Sequence, residues 1–433
     1  MVIRLLSLVA FLSLACFPLS AYEQPPVEPG FELLFDGKDL TKHFHIKGKE
    51  SSWKVVDGVI VASSGGNRII SKKAYENYVL RLEWNVGEGG NSGVFVHVPS
   101  PDDNMPWVTG HEIQISDERP YRKPKNSTGA IYDRAESTAG PIKPGIWHNY
   151  EIICLKGHIT VKLDGKVVCE GKPDSEGLKG TSTRGHVGLQ DYHHHNNKGI
   201  QYRNIRIQPL NPDGTVVGFT DVTNDEANWQ KIKTGHGSGG QWVLQNGVWT
   251  GEQDPPGSGN GGILVHKKPI GDFELILETQ PDWGVCSGVF LRSTMEGACY
   301  QVMVDYNHRH GNIGGVYGEG TGAFVHKQYN LDKDQNLILT PPEGTPPKLR
   351  FKPEEWARYW DKDGWNEIRS RIRGNPPTVE TWLNGTPIAD FKDDQKRLPN
   401  KGHIGIQVHG GKEWPKGSKV RFRKIQVREI SGS

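Results

Sequence analysis

The sequence has little cysteine, almost no net charge and, beyond its first residues, no long hydrophobic run. Its 433 residues include five Cys, 52 basic and 50 acidic side chains, and the net charge is +2. Such a balance creates no long-range field that would recruit nucleic acid or an acidic membrane surface. A hydrophobic content of 35% argues against membrane-spanning segments in the mature chain. We therefore expect no nucleic-acid partner and no stable membrane insertion.

The few cysteines beyond the N-terminus are predicted to be unpaired. Cys154 and Cys169 are two strands apart if the turns between them are hairpins, which separates them by about 9–10 Å. A disulfide needs Cα atoms within about 7 Å. Cys286 and Cys299 fall at opposite ends of another predicted hairpin. The chain is therefore not a disulfide scaffold.

Residues 1–21 have the features of an export signal. Arg4 supplies the positive charge, residues 5–17 form an apolar stretch, and residues 19–21 make a suitable cleavage site. The apolar stretch is too short to span a bilayer comfortably. Lipidation of Cys16 is an alternative, although the residues before it make a poor lipoprotein motif. We predict a secreted or periplasmic protein.

Glycine and tryptophan, in contrast, are abundant, with 54 and 13 residues. Two-residue hairpin turns, which need positive φ angles, are predicted at Asp57-Gly58, Asp164-Gly165, Asn246-Gly247 and Asn384-Gly385. Alternating, β-branched segments such as residues 78–86 lie between turn signals, and no segment has a convincing helical period. Many short strands of this kind predict an all-β protein built from sandwiches or barrels.

An internal repeat divides the chain into two units, predicted at about residues 28–210 and 215–430. Residues near 330–361 are predicted to be an insertion in the second unit. The matching segments keep their order, which indicates duplication. They are Trp53–Val59 with Trp242–Val248, Asn91–Phe95 with Cys286–Phe290, Gly185–Gln190 with Gly402–Gln407, and Tyr202–Ile207 with Phe422–Val427. Trp53 and Trp242 are predicted to be core residues at equivalent positions.

The motifs of the first unit resemble those of the 3-keto-disaccharide hydrolase family, formerly a domain of unknown function. They are Leu34–Gly37, Trp53–Gly58, Asn91–Phe95, Glu112–Asp117, Thr128–Tyr132 and Gly185–Ile207. The resemblance extends over nearly the whole chain after residue 21, as two tandem copies. It implies two tandem concanavalin A-like jelly-roll β-sandwiches, a secreted bacterial protein, and hydrolysis or elimination at glycosides oxidised at C3.

Strand alternation separates predicted core residues from residues on the opposite face. In residues 111–116, Ile113 and Ile115 are assigned to the core, so Glu112 and Gln114 face the other way. If the strands concerned are neighbours, the same argument predicts one concave sugar-binding face. Its predicted members are Arg81, Glu83, Phe95, His97, Glu112, Gln114, His186 and Gln190, and Tyr132 is a further predicted substrate-binding residue.

A ketone at C3 of a sugar makes the C2 proton acidic. A base can remove this proton, the glycosidic oxygen at C1 then leaves by β-elimination, and addition of water gives net hydrolysis. Glu112 is the predicted base and His97 the second candidate, since partial burial raises a carboxyl pKa toward neutrality. Gln114, Gln190 or Arg81 is expected to stabilise the enolate oxygen.

The cofactor is left open. A divalent cation is one alternative for stabilising the enolate, with Glu83, Glu112 and Asp117 as oxygen ligands. His193-His194-His195 also suggests a metal, but three adjacent His residues cannot all point one way on a strand.

Two other functions remain open at this point. Glu112-x-Gln114-x-x-Asp117 faintly resembles the Glu-x-Asp-x-x-Glu strand of secreted β-glucanases, which would make Glu112 a nucleophile and Asp117 an acid. A tandem carbohydrate-binding protein without catalysis is the other alternative, favoured by the tryptophan count and the diverged second unit.

The second unit departs from the family pattern where the first unit has its polar residues. In the sequence alignment, Glu112 and Gln114 correspond to Tyr300 and Val302. The predicted equivalents of site residues are Glu278, Arg292, Tyr300, Tyr317 and Gln407. Neither Arg nor Tyr is a good base at neutral pH. We therefore predict that the first unit carries the chemistry and that the second is a binding or structural copy.

Overall fold

The computed structural model describes residues 22–430 except 64, 66, 118–122, 192–198, 234–236, 307–310, 323–324, 335 and 342–348. The predicted export signal and the three adjacent His residues lie outside the described residues. Within them, no helix is both long and apolar enough to cross a membrane.

The first unit is a sandwich of two antiparallel sheets. An eight-stranded sheet has the order β11-β10-β9-β6-β13-β4-β3 with β1 paired to β13, and a five-stranded sheet has the order β2-β5-β12-β7-β8. The strands are β1 (Glu32–Leu33), β2 (Phe44–Lys47), β3 (Trp53–Val56), β4 (Val59–Ala62), β5 (Arg68–Tyr75), β6 (Tyr78–Val86), β7 (Asn91–Val98), β8 (His111–Ser116), β9 (His148–Leu155), β10 (His158–Leu163), β11 (Lys166–Gly171), β12 (Gly185–Gln190) and β13 (Ile200–Pro209).

The second unit repeats this arrangement. Its strands are β14 (Thr220–Asp221), β15 (Trp229–Lys231), β16 (Gln241–Gln245), β17 (Val248–Glu252), β18 (Gly262–His266), β19 (Phe273–Pro281), β20 (Cys286–Ser293), β21 (Cys299–Asp305), β22 (Asn312–Glu319), β23 (Val325–His326), β24 (Tyr329–Leu331), β25 (Leu337–Leu339), β26 (Asn366–Arg373), β27 (Thr378–Leu383), β28 (Thr386–Lys392), β29 (His403–Val408) and β30 (Val420–Glu429).

The two units correspond strand for strand in their sheet orders. The larger sheet of the second unit has the order β16-β17-β30-β19-β26-β27-β28 with β14 paired to β30, and the smaller has β15-β18-β29-β20-β21 extended by β22 and β23. The hairpin β24-β25 lies in the predicted insertion. The prediction of an all-β protein with two jelly-roll sandwiches is confirmed, and the limits 28–210 and 215–430 stay as proposed.

Where the structure describes the chain, helical residues occur only in short turns. The only α-helix in the described residues is α1 (Pro106–Thr109), and the 3-10 turns are Glu50–Ser52, Pro124–Asn126, Glu226–Asn228 and Pro353–Arg358. The predicted hairpin turns have the expected backbone, with φ of 50° at Asp57 and 47° at Asp164, each followed by a glycine at 81°. These primed turns match the right-handed twist of the strands that they join.

Each sandwich buries an apolar core between its sheets. Trp53 is 6% exposed and lies in the core of the first unit, whereas Trp242 is half-buried and packs against the core of the second. They occupy equivalent positions, because Trp53 pairs with Ala62 and Trp242 with Gly251 at the same distance from their hairpin turns. The prediction of a core role is therefore confirmed for Trp53 and holds in part for Trp242.

The four cysteines among the described residues are free, as predicted. Cys154 on β9 and Cys169 on β11 are separated by β10, and Cys286 pairs across the β20–β21 hairpin with Asp305 rather than with Cys299.

The outer faces of the two eight-stranded sheets meet at a buried cluster of charges. Arg81 donates hydrogen bonds to Glu151 at 2.6 Å and to Glu28 at 3.1 Å. It also donates one at 3.0 Å to Glu367, which belongs to the second unit. The ring of Phe31 lies against the guanidinium groups of Arg81, Arg206 and Arg369, at 4.8, 5.6 and 4.7 Å from its centroid. The segment before β1 thus joins both units, beside an interdomain cleft of about 2180 Å³.

Candidate functional site

The outer face of the five-stranded sheet brings together most of the predicted polar residues of the first unit. On the β7–β8 ladder, Phe95 lies opposite Glu112 and Gly93 lies opposite Gln114. Leu189 on β12 pairs with Val94, so the next residue, Gln190, falls opposite Gly93. Cross-strand partners share a face, and three neighbouring strands therefore present these side chains together.

Glu112 is the carboxylate at the centre of this face. Its side chain is buried, with 5% exposure, and its carboxylate lies over Gly93, where a Cβ atom would come within 2.3 Å of Oε1. Any larger residue at this position would therefore displace the Glu112 side chain. Burial, with a further contribution from the charge of Asp133, raises the pKa of Glu112 to about 8. A carboxyl group with such a pKa can exchange a proton near neutral pH.

Two glutamines share this part of the sheet with Glu112, and Tyr132 follows it on the neighbouring loop. Gln114 is 1% exposed and donates a hydrogen bond to Asn91 at 3.2 Å, while its Oε1 atom has no hydrogen-bond partner. Gln190 and Tyr132 are half-buried, and the Tyr132 backbone N–H donates to the carbonyl oxygen of Glu112 at 2.9 Å. The structure thus places Glu112, Gln114, Gln190 and Tyr132 in one region of the molecule, and their roles in the site stay predictions.

His97 does not belong to this face, contrary to the prediction. His97 has a φ of 55° and lies in a β-bulge. Phe95 pairs with Gly188 and Val98 pairs with His186, so β7 has one more residue than β12 between these two pairs. The bulge reverses the alternation, so the His97 ring contacts Tyr78 in the core and its Nε2 atom lies 3.1 Å from the carbonyl oxygen of Glu76. Burial lowers the pKa of His97 to about 4, and the ring is not placed to act as the second base.

Arg81 and Glu83 also lie elsewhere. Their strand, β6, is in the eight-stranded sheet between β9 and β13, and their face turns toward the second unit. Glu83 accepts hydrogen bonds from Arg203 at 2.6 Å and Asn204 at 2.8 Å. Alternation assigned both residues correctly to the side opposite the core, but it could not identify the sheet that contains the strand.

Phe95 and His186 line the same sheet as Glu112, with different surroundings. Phe95 is 1% exposed and packs with Ile70 and Val98 in a small apolar cluster outside the main core. His186 is half-buried, and its Nδ1 atom lies 2.7 Å from the carbonyl oxygen of Ser71.

The proposed metal ligands are not grouped. Glu83 lies in the other sheet, and Asp117 follows the end of β8, outside the strand that carries Glu112. Asp117 is fully buried and accepts a hydrogen bond from the Gly89 backbone at 2.9 Å. Among the described residues, no group of three or more His, Cys, Asp or Glu side chains is placed to hold a metal ion.

The retaining-glycosidase alternative would pair Glu112 with Asp117. A retaining pair needs carboxyl groups about 5–5.5 Å apart on one face. Glu112 lies on the β7–β8 ladder, whereas Asp117 lies beyond the end of β8 and accepts a hydrogen bond from the Gly89 backbone, so this alternative stays a prediction.

The structural register corrects the comparison of the two units by one residue. Phe290, the equivalent of Phe95, lies opposite Gln301, and Leu291 lies opposite Tyr300. Gln301 therefore occupies the position of Glu112. Its Nε2 atom would come within 2.2 Å of a Cβ on Gly288, which repeats the geometry of Glu112 over Gly93. A slip of one residue moves every side chain to the other face, and the sequence alignment had made this slip.

The remaining predicted equivalents in the second unit do not form a catalytic group. Tyr300 is in the core and donates a hydrogen bond to Asp393 at 2.7 Å. Arg292 has a φ of 49° in the second unit's equivalent of the His97 bulge, and its side chain is fully buried. Glu278 accepts hydrogen bonds from Arg423 and Lys424 beside the interdomain cleft.

Gln407 and Tyr317 keep their places beside Gln301. Gln301 donates a hydrogen bond to Gln407 at 3.0 Å and pairs across the ladder with Tyr317. The residue after Tyr317 is Gly318, where the first unit has Asp133 after Tyr132. In the second unit, the amide of Gln301 therefore replaces the Glu112 carboxylate, and Gly318, which has no side chain, replaces Asp133.

Sequence reasoning gave no site role to Asp133 or Gln301. Asp133 follows the Thr128–Tyr132 motif in a loop, and its contribution to the Glu112 pKa depends on how the loop returns to β8. Gln301 could have been found by placing Phe95 and Phe290 in the same ladder position, but the loops after these strands differ in length.

The chain is similar to one curated relative and to several solved structures. A 3-keto-disaccharide hydrolase from Bacteroides thetaiotaomicron is 24% identical over 251 residues, which is 46% of this chain and 84% of that protein. A solved structure from Parabacteroides distasonis, described as a candidate glycosyl hydrolase, is 27% identical with a TM-score of 0.38, and covers 42% of this chain and 94% of its own. The carbohydrate-binding module CBM66 from Bacillus subtilis is 12% identical with a TM-score of 0.30, over 47% of this chain and 96% of its own.

The profile of one domain family matches both units. The family is described as a 3-keto-alpha-glucoside-1,2-lyase-like domain, and the matches extend over residues 30–208 and 218–428. They include the Asn-Ser-Gly-Val-Phe strand and the Glu112 strand of the first unit, together with their counterparts in the second. The chain therefore belongs to this family, as two tandem copies of its domain.

Proposed function

We propose that this protein is an exported hydrolase that cleaves 3-keto-glycosides in its first unit. The family description and the name of the Bacteroides relative support action on carbohydrate. The observation that carries the proposal is that Glu112 and Gln301 occupy equivalent ladder positions in the two units. Only the first unit has an ionisable side chain at this position.

Glu112 is the proposed base for the C2 proton. In its ionised form the carboxylate takes this proton, the electron pair of the C–H bond forms the enolate of the C3 ketone, and the C1–O bond then breaks. Gln114 and Gln190 lie on the same face and supply amide N–H groups for the enolate oxygen. The protonated Glu112 can return its proton to the departing oxygen, and water then adds to the resulting enone.

The second unit is the proposed binding or structural copy. Gln301 has the shape of Glu112 without its charge, and it is already hydrogen-bonded to Gln407. An amide does not accept a proton at neutral pH, so this face lacks a base.

The reaction class is tested with a 3-keto-glucoside and its unoxidised parent, each with and without a chelator. We expect release of the leaving group from the keto form alone. Equal release from the parent would indicate an ordinary glycosidase. Binding without release from either would indicate a carbohydrate-binding protein, and loss of turnover with chelator would show that a cation is required.

The base is tested by Glu112→Gln, which gives the first unit the side chain of the second. Turnover of the 3-keto-glucoside should fall by a factor of about 10² or more, the usual scale for a lost general base. Gln301→Ala and Tyr300→Phe are the matched controls, and turnover should change little in either. Equal losses in all three variants would contradict the assignment of chemistry to the first unit.

A further inference from the structure

The loop between β7 and β8 is a long, anchored segment that exists only in the first unit. It comprises residues 99–110, hereafter the strap, and includes α1. In the second unit the equivalent connection between β20 and β21 has only residues 294–298, which form a tight turn closed by the Thr294 N–H bond to Ala298. The extra chain is therefore present beside Glu112 and missing beside Gln301.

The strap crosses the outer face of the five-stranded sheet. It leaves β7 at Val98, and on the far side Asp102 forms an ion pair with Lys47 while Arg68 donates hydrogen bonds to Asp103 and Asn104. Arg68 and Lys47 belong to β5 and β2, two and three strands away from β7, a reach of about 10–15 Å. The apolar cluster of Phe95 and its neighbours is buried on the face that the strap crosses.

The return of the strap is fixed next to Glu112. Arg134 donates hydrogen bonds to the carbonyl oxygens of Val108 and Gly110, the latter at 2.7 Å, and also contacts His111. Inside the strap, Asp103 accepts hydrogen bonds from Met105 N–H at 2.8 Å and from the Thr109 hydroxyl at 2.6 Å. The strap is therefore anchored to the sheet at both of its ends, and the Asp103 side chain adds hydrogen bonds within it.

The anchors are missing from the second unit along with the strap. Arg68 pairs with Gln190, and its counterpart, Ile263, pairs with Gln407. The position of Lys47 is taken by Ile232, and both isoleucines are buried. Carboxylates, strap and anchors are thus gained or lost together, which links the strap to the chemistry of the first unit.

The strap keeps three apolar side chains in contact with solvent. Met105 is 51% exposed, Trp107 37% and Val108 50%, and Trp107 is the only aromatic residue among the exposed large hydrophobic residues of the described chain. An apolar group on a fixed segment keeps an unfavourable contact with water until a ligand covers it. Met and Val side chains cannot hydrogen-bond sugar hydroxyls, so the surface suits an aromatic group better than a second sugar.

We propose that the strap is the leaving-group side of the first unit's site and that Met105, Trp107 and Val108 hold an apolar, aromatic aglycone. This inference rests on the proposed function, since it assigns the aglycone of the same 3-keto-glycoside. It makes aryl 3-keto-glucosides better substrates than 3-keto-disaccharides.

The test compares Trp107→Ala with the wild-type protein on a phenyl 3-keto-glucoside and on a 3-keto-disaccharide. We expect kcat/KM for the phenyl substrate to fall about tenfold, mainly through KM, because a stacked ring is worth about one factor of ten. The kcat/KM for the disaccharide should change less than about threefold. Trp107→Phe should keep most of the activity on the phenyl substrate. Val167→Ala, which truncates a side chain 51% exposed on the edge strand β11, is the control and should leave both substrates unchanged.

Equal losses on the two substrates, or no loss on the phenyl substrate, would overturn the inference. If the wild-type protein turns over neither substrate, the proposed function fails, and the strap is then tested by binding of unoxidised phenyl β-glucoside in calorimetry. Binding that is lost in Trp107→Ala and kept in Val167→Ala supports the aromatic site. No binding by the wild-type protein rejects it.

Discussion

The pKa of Glu112 sets the pH at which the first unit has a base. Burial, together with the charge of Asp133, raises this pKa to about 8. The proton must be lost before the carboxylate can act, so kcat/KM for a 3-keto-glucoside should rise with pH and level off above about 8. A pH–rate profile of the wild-type protein measures this rise.

Asp133→Asn tests the electrostatic contribution to the raised pKa of Glu112, which adds to the larger effect of burial. Removing the Asp133 charge lowers the pKa of Glu112, so the rise in kcat/KM should move to lower pH. The new amide oxygen can still accept the hydrogen bond from Asn126, which is 2.6 Å long in the native protein. Asp213→Asn, at an exposed position between the units, is the control and should leave the profile in place. An unchanged inflection in Asp133→Asn would contradict the assignment.

At the scale of single strands, the two equivalent tryptophans differ in their burial. Truncating a fully buried Trp costs roughly 3–5 kcal/mol of unfolding free energy. We expect this loss for Trp53→Ala, since its side chain is 6% exposed on β3. Trp242→Ala should cost clearly less because Trp242 is only half-buried on β16. Urea unfolding of both variants measures the difference.

Val243→Ala provides the control for these variants. Val243 follows Trp242 on the same strand but is 52% exposed, so its truncation should hardly change the urea midpoint. If Trp53→Ala were as stable as Val243→Ala, the core assignment of Trp53 would be wrong.

At the scale of the whole molecule, the two units are joined through buried charges. Burial by itself raises the pKa of Glu28, but the guanidinium groups of Arg206, Arg81 and Arg369 outweigh it and lower the pKa below the ordinary value. The same balance at Glu151, where Arg81 and Lys162 offset burial, lowers its pKa to about 2. A lowered pKa in the folded state means that the carboxylate contributes stability above the unfolded pKa of about 4.3. That contribution is lost as pH falls from about 4.3 through the folded pKa.

Glu28→Gln should therefore weaken the joint between the units. Removing one partner of a buried charge cluster typically costs about 3–5 kcal/mol. Because the folded-state pKa of Glu28 is lowered, the variant should also lose part of the acid dependence of stability below about pH 4.3. Thermal unfolding at pH 7 and at pH 3 measures both effects. Lys73→Met, which removes the exposed ion pair with Glu32, should change neither, because exposed pairs contribute little. Equal melting temperatures for Glu28→Gln and the wild type at pH 7 would contradict this account.

The sequence by itself determined the features that depend on local backbone chemistry. Glycines after Asp57 and Asp164 fixed the hairpin turns, because those turns need positive φ. A side-chain period of two placed Glu112 and Gln114 on one face and Ile113 on the other. The ordered repeat predicted two sandwiches, and the sheet orders agree.

Only the tertiary structure decided the features that depend on pairing between distant segments. A local period of two does not tell which sheet a strand joins, and Arg81 on β6 accordingly lies at the interdomain cluster. A single added residue reversed the direction of His97, and a shift of one residue decided that Gln301 rather than Tyr300 replaces Glu112. Ladder register and bulges are set by hydrogen bonds between strands far apart in the chain, so they are fixed only when the whole sheet has formed.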